Sequence, residues 1–206
     1  MSTAIFKTDQ HHSQRNSSMP ACKISETRNG IDVTELRATI DNVRAHPEQG
    51  QTSWRIVSRW KGGTRSDHQV EGCNLGGQFV RRPFLLQVDE PLELGGTNQY
   101  ANPQEYLLAG LNACMMVGYT AVAALMGITL TRLEVETTGD IDLRGFLGLS
   151  ENVPAGYPEL TQTVRIAGDA DAAQFAQLHE AVQRTSPNFY NLTRSVPVVS
   201  RLQIER

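Results

Sequence analysis

Hydrophobic and polar residues follow two different periods along the chain, and the first clear period is helical. Between Asp32 and His46 the apolar positions recur every three or four residues, which predicts a short amphipathic helix. Asp32, with Glu35 three residues later, forms a capping-box pattern at its start, and Pro47 follows its end. We expect this helix to pack on the main body of the protein.

The pattern changes to strand-like alternation after Thr52. Alternating segments at 52–61, 68–71 and 79–88 predict three strands, and glycine-containing turns separate them. Because the links between the segments are short, we expect an antiparallel meander.

The most apolar segment of the chain begins at Asn102. Asn102 is a favourable N-cap, Pro103 suits the first helical position and Gly127 suits the end, so a helix is predicted to about residue 126. It carries no Lys or Arg, and its single carboxylate is Glu105. Since apolar residues surround it on nearly all sides, we expect it to be buried.

The second half of the chain mixes strands and helices. The patterns predict, in order, a strand at 128–143, a hairpin loop at 145–158, a strand at 159–167, a helix at 172–184, a short helix to about 192 and a strand at 196–204. The order αβββ–α–ββ–αα–β indicates an α+β domain with a mostly antiparallel sheet. We divide the chain into a flexible tail (1–30), a helical extension (31–50) and the main domain (51–206).

Composition limits the classes of function. The 206 residues are 39% hydrophobic and 20% charged, values that are ordinary for a globular protein. Their formal charge of −3 lacks the basic excess that is typical of nucleic-acid-binding proteins. No apolar run approaches the roughly 20 residues that span a membrane, and the polar N-terminus does not resemble a secretory signal. We therefore expect a cytoplasmic protein without membrane partners, and we interpret His11 and His12 as part of a solvated tail rather than as metal ligands.

Three cysteines, Cys22, Cys73 and Cys114, cannot all pair, and none lies in a C-x-x-C pattern. A disulfide framework or a zinc site is therefore not expected. The paired glycines lack the spacing of a nucleotide-binding loop, so we expect no cofactor. Cys114, about three turns into the central helix, is the best candidate for chemistry.

The segments around Cys114 resemble the OsmC/Ohr family. The resemblance rests on D-E-P-x-x-L-G-G at 89–96, N-P-Q-E-Y-L-L-A-G-L-N-A-C at 102–114, A-A-x-M-G-I at 123–128 and S-P-x-x-x-N-L at 186–192. It extends over roughly residues 52–205. It implies an intertwined homodimer in which antiparallel sheets wrap two long buried helices, with active sites at the subunit interface.

The resemblance also implies a role for Cys114. In peroxidatic family members the cysteine at this position attacks a hydroperoxide, an Arg–Glu pair activates it and a second cysteine resolves the sulfenic acid. This chain has Gln104 at the position of the family's acid, ten residues before the cysteine, while Glu105 matches a separate Glu of many members. Ser186 occupies the position of the resolving cysteine, so the usual disulfide cannot form.

Several residues have two interpretations. Arg65 follows the first strand much as the family's arginine does, although Arg65, like Arg81 and Arg82, is also compatible with a solvated surface charge. Ser186 before Pro187 is a favourable helix start in its own right.

The remaining candidates lie near Cys114 in the helix or carry a thiol elsewhere. Cys73, between glycines, is either an alternative resolving thiol or a loop cysteine without a role. Met116 and Tyr119 are candidates for the core or for the lining of a binding pocket.

Two functions from different classes follow. The first is a thiol-dependent reductase of organic hydroperoxides that uses Cys114 alone and an external thiol as reductant. The alternative is a non-catalytic protein that binds a small apolar ligand at the dimer interface. A third interpretation, in which the N-terminal helix at 32–46 acts in assembly, rests on that extension alone.

Overall fold

The computed structural model describes residues 26–205. A two-residue hairpin, β1 (Thr27–Arg28) with β2 (Ile31–Asp32), leads into helix α1 (Val33–Ala45). The Asp32 side chain accepts a hydrogen bond from the Glu35 backbone N–H at 3.0 Å, which confirms the predicted N-cap. The predicted tail lies outside the described residues except for its last few positions.

The predicted meander is confirmed, with its first strand divided into two. Its strands are β3 (Thr52–Trp54), β4 (Val57–Trp60), β5 (Ser66–Leu75) and β6 (Gln78–Val88). β5 pairs antiparallel with β3 and β4 along one edge and with β6 along the other. We call this the N-terminal sheet.

The irregularity of the N-terminal sheet has a local cause. The pairing of β5 with β6 shifts between Val70 and Gly72. Pro83 lies in β6 opposite this shift and has no paired residue in β5. Proline, which has no backbone N–H to donate, is therefore tolerated at this position of the strand. At Gly72 a Cβ would lie 2.3 Å from the carbonyl oxygen of Val80, so the backbones approach too closely for any side chain.

The central helix α2 (Pro103–Leu125) forms as predicted. Asn102 and Glu105 make a reciprocal capping box, in which each side chain accepts a hydrogen bond from the backbone N–H of the other residue. Gly127 follows the helix with a positive φ of 78°, a conformation that glycine adopts without strain.

The second half of the chain confirms the two predicted helices and corrects the strands. It contains β7 (Leu130–Thr138), α3 (Leu143–Phe146), β8 (Thr161–Gly168), α4 (Ala172–Thr185) and α5 (Pro187–Thr193), and β7 pairs antiparallel with β8. The strand predicted at 128–143 therefore ends at Thr138, because Asp142 caps a short helix instead. The strand predicted at 196–204 was wrong for the single chain: the segment is exposed and pairs with no sheet edge.

The core lies on one side of α2. Leu111, Met115 and Tyr119 of this helix are buried against Leu178 and Val182 of α4, and the β7–β8 sheet closes the cluster. On the opposite side of α2, Val117 is 67% exposed. The elements of one chain thus cover only one face of the helix, and the burial expected on all sides would need a second subunit.

α2 is long and apolar enough to cross a membrane by length and composition alone, contrary to the expectation that no segment approaches this length. The core helix of a folded domain can have the same length and composition. Because α2 packs on α4 and on β7, it resembles such a core helix.

A buried carboxylate, Asp89, joins the N-terminal sheet to the loop before α2. Its Oδ1 accepts a hydrogen bond from the Thr64 hydroxyl at 2.6 Å, and its Oδ2 accepts from the backbone N–H groups of Thr97 and Gln99, each at 3.1 Å. These bonds, with the Thr64 bond as the largest cause, hold the pKa of Asp89 well below its usual range. The ionised carboxylate therefore stabilises the folded state above the ordinary Asp value of about 4, and this stability is lost as the pH falls towards the lowered value.

We expect Asp89→Asn to lower the melting temperature at pH 7, because the amide is uncharged and has one acceptor oxygen in place of the two that serve Thr64 on one side and Thr97 and Gln99 on the other. The difference from the wild type should shrink as the pH falls below about 4, because the unfolded wild type then takes up a proton that the folded carboxylate does not bind. Thermal melts followed by circular dichroism across this pH range measure both effects. Asp140→Asn, at an exposed loop position, is the control; equal melting of Asp89→Asn and wild type would contradict the prediction.

Candidate functional site

The Cys114 thiol and the Ser186 hydroxyl meet between α2 and the start of α5. Ser186 Oγ lies 3.2 Å from Cys114 Sγ and donates a hydrogen bond to it. Ser186 is 4% exposed, whereas Cys114 is half-buried. A sulfur that is both accessible and hydrogen-bonded is available to a small reactant, so this pair is the centre of the candidate site.

Small residues on α2 permit this approach. Gly110, Cys114 and Gly118 recur every four residues and therefore share one face of the helix. A Cβ at Gly118 would lie 2.9 Å from Cγ1 of Val182, and Asn188 donates a hydrogen bond to the Gly110 carbonyl at 2.8 Å. Sequence reasoning missed both glycines, although the G-x-x-x-C-x-x-x-G spacing was the available signal.

Both interpretations of Ser186 are compatible with its geometry. Its Oγ accepts a hydrogen bond from the Phe189 backbone N–H at 3.3 Å, which makes it the N-cap of α5. The same oxygen donates its proton towards Cys114. A hydroxyl that accepts one hydrogen bond donates a stronger one, so the cap increases the stabilisation that Ser186 offers to a negatively charged sulfur.

Gln104 and Glu105 lie at the far end of α2 from Cys114. Ten residues at 1.5 Å each separate Gln104 from Cys114 by about 15 Å along the helix axis. Gln104 lines a cavity instead, and the Glu105 carboxylate is engaged in the capping box. Within one chain neither side chain acts directly on the thiol.

Arg65 lies in the hairpin between β4 and β5, beside Asp67, Gln87 and Tyr100. Its backbone is fixed by hydrogen bonds to Lys61 and Gly62, and no bond joins it to Cys114. Across residues 26–205, no charged side chain makes a hydrogen bond or ion pair with the Cys114 sulfur. Activation of the thiol by a cation therefore needs a group that residues 26–205 of the same chain do not place there.

Cys73 lies in strand β5 rather than in the predicted loop. It is buried and pairs with Trp54 on one side and Val80 on the other. No contact joins it to Cys114 in the described part of the chain. Cys22, His11 and His12 lie outside the described residues.

Tyr119 and Met116 lie on different sides of α2. Tyr119 is fully buried in the core, its hydroxyl forms a hydrogen bond with Nδ1 of His179, and burial raises its pKa to about 12. Met116 lies on the partly exposed side of the helix. Neither residue lines the cavity next to the site.

A cavity of about 530 Å³ extends along α2 from Gln104 to Leu111. Its walls come from α2, α5 and the segment at 156–162, which we call the loop wall. The apolar lining residues are Leu107, Leu111, Pro158, Leu160, Phe189 and Leu192. Cys114 and Ser186 are not among the lining residues. Leu111 lies one turn before Cys114, and the Phe189 backbone bonds to Ser186, so the cavity ends about one helical turn from the thiol.

A sequence model described as OsmC-like protein matches residues 96–201, just over half of the 206-residue chain. The chain belongs to the OsmC-like protein family. The matched range contains the cavity, Gln104, Cys114 and Ser186, and the whole N-terminal sheet lies before it. No curated protein matches the sequence significantly.

Solved structures of OsmC-like proteins are similar to this one. An OsmC-like protein from Mycoplasma pneumoniae superimposes with a TM-score of 0.55 at 17% identity, over 69% of this chain and 89% of that chain. An organic hydroperoxide resistance protein from Elizabethkingia anophelis superimposes with a TM-score of 0.43 at 21% identity, over 69% of this chain and 90% of that chain. The first likeness shows that this OsmC-like chain has the α+β fold of the family.

We expect Ser186→Cys to form a disulfide with Cys114 on mild oxidation with diamide, which takes up the two thiol hydrogens. The Oγ–Sγ separation of 3.2 Å leaves a small movement to reach the S–S bond length of about 2.05 Å. Mass spectrometry of the non-reduced protein measures the loss of two hydrogens and the linked peptides. Thr185→Cys, at the neighbouring exposed position, is the control and should not link; equal linking in both variants would contradict the geometry.

Proposed function

We propose that this OsmC-like protein reduces organic hydroperoxides with Cys114 as its only reacting thiol. The observation that carries the proposal is the Ser186 hydroxyl, which donates to the half-buried sulfur of Cys114. The nucleophilic form of cysteine is the thiolate, and the hydroxyl lies where it can donate a hydrogen bond to that sulfur. The apolar cavity next to the site supports an organic rather than an inorganic peroxide.

The reaction consists of two balanced stages. The Cys114 thiolate attacks one peroxide oxygen, the O–O bond breaks, and the alkoxide leaves and takes a proton to become an alcohol. The sulfur is now a sulfenic acid. Because Ser186 cannot form a disulfide, an external thiol attacks the sulfenic sulfur and releases water, and a second thiol reduces the mixed disulfide and regenerates Cys114.

We further propose that the protein acts as an intertwined homodimer. Two apolar surfaces of the single chain support this: the face of α2 around Val117, and the N-terminal sheet, where Trp60 is 78% exposed. Their charges are complementary. Residues 51–88 carry six Lys or Arg and two Asp or Glu, a formal charge of +4, whereas residues 103–194 carry five Arg and ten Asp or Glu, a formal charge of −5.

A second copy would also complete the site. Gln104 lies about 15 Å from Cys114 along one helix, so an interaction between these two positions requires two helices. Arg65 belongs to the basic sheet, which supports it as the cation that a second copy brings to the thiolate. In this arrangement Gln104 orients its neighbours by hydrogen bonds but does not anchor the arginine by charge.

We expect Cys114→Ala to abolish the consumption of cumene hydroperoxide in the presence of dithiothreitol, because no other thiol performs the first attack. Cys73→Ala should retain the activity, since its thiol is buried in the N-terminal sheet. The rate is measured by the loss of hydroperoxide with a ferrous dye assay. Equal rates for wild type and Cys114→Ala would contradict the proposal.

The cavity favours a second candidate function, the binding of an apolar ligand without catalysis. Its volume of about 530 Å³ lies in the range of small-molecule sites. A wild type without peroxidase activity, together with a Cys114→Ser variant that binds the neutral dye Nile red as tightly as the wild type, would favour this second function.

We expect Val117→Glu to disrupt the dimer, because a carboxylate buried in an apolar interface loses its hydration. Ala176→Glu adds the same charge at an exposed position of α4 and should leave the dimer intact. Sedimentation velocity measures the mass of each variant, and circular dichroism checks that it is folded. A monomeric wild type, or a Val117→Glu variant that remains dimeric, would contradict the proposed assembly.

A further inference from the structure

The cavity beside Cys114 has neutral polar groups among its apolar walls. Gln162 on the loop wall donates hydrogen bonds to Asn112 at 3.3 Å and to Thr137 at 3.1 Å, so its position is fixed by α2 and β7. Gln104 contributes a second neutral amide. These amides accept or donate hydrogen bonds but do not balance a ligand charge.

The charged group in the cavity lining is a carboxylate. Glu159 lies on the loop wall, three residues before Gln162, and no Lys or Arg of the described residues lines the cavity. Glu105, next to Gln104, occupies the backbone N–H at the start of α2 with its own carboxylate. The positive end of the helix is therefore already neutralised and offers little to an anionic ligand.

Most arginines of residues 103–194 are engaged with other side chains. Arg144 pairs with Asp142 at 2.6 Å, and Arg165 pairs with Glu134 and Glu136, each at 2.8 Å. The Arg194 guanidinium lies 4.8 Å from the centre of the Tyr190 ring. Residues 103–194, whose segments form the cavity, therefore carry an excess of negative charge within the single chain.

We propose that the cavity binds the apolar body of an uncharged molecule, and that Glu159 at its rim disfavours ligands that carry a carboxylate. Where the ligand is a hydroperoxide, this inference rests on the proposed function: the peroxide group lies at Cys114 and the rest of the molecule lies along Leu107 and Leu111. Neutral alkyl or aryl hydroperoxides are then better substrates than hydroperoxides of free fatty acids.

The test separates binding from catalysis. Cys114→Ser protein is titrated with decanoic acid and with its methyl ester, and displacement of Nile red reports each affinity. We expect the ester to bind more tightly than the acid. Glu159→Gln should improve the affinity for the acid about fivefold relative to the ester at low salt, because an exposed carboxylate a few ångströms away contributes a modest repulsion. Glu159→Lys should improve it further, and high salt should reduce both effects.

Glu151→Gln removes an exposed carboxylate from the same loop outside the cavity and is the matched control. An acid-to-ester affinity ratio that is unchanged in Glu159→Gln, or tighter binding of the acid by the parent protein, would overturn the inference. Failure of both ligands to bind would overturn it as well. Peroxidase assays on the wild type use methyl linoleate hydroperoxide and the free-acid hydroperoxide, and they are separate from the binding test. A lack of catalysis in these assays would contradict the proposed function but would not change the binding result.

Discussion

The rest of the structure depends on the burial of α2, a helix of 23 residues with one carboxylate and no basic residue. Water solvates such a helix poorly on any side, so each face needs a cover. One chain supplies α4, α5 and the β7–β8 sheet for one face and leaves Val117 and its neighbours open. The same chain extends a sheet with exposed aromatic residues, and the proposed exchange between two chains satisfies both surfaces with one interface.

The burial of α2 also determines the form of the site. Cys114 lies at the border between the covered face and the open face, where Asn188 of α5 donates to the Gly110 carbonyl and Gly118 leaves room for Val182 of α4. This border gives the thiol a hydrogen-bond donor from within the chain and leaves part of it accessible. A thiol deeper in the core, at the position of Met115, would be enclosed and unreactive.

The sequence predicted local elements better than it predicted their partners. Caps at Asp32, Asn102 and Ser186 act over a few residues, so their helices could be read directly from the residues. The strand expected at 196–204 depends on an edge that this chain does not supply, and alternation alone cannot identify such an edge. The Cys114–Ser186 contact followed from the family resemblance. The cavity did not, because it forms where α2, α5 and the segment at 156–162 meet, and no local sequence pattern records that meeting.

The replacement of a resolving cysteine by Ser186 changes the chemistry of the site more than its architecture. A hydroxyl keeps the cap of α5 and the hydrogen bond to the sulfur, and both depend only on a donor and acceptor at that position. What it removes is the capacity to form a disulfide, so a sulfenic acid at Cys114 would persist until another thiol arrives. A site of this kind needs an opening for two molecules in succession, and the half-exposed thiol at the end of a cavity fits that requirement. In the proposed cycle, the external reductant would therefore control the rate of turnover.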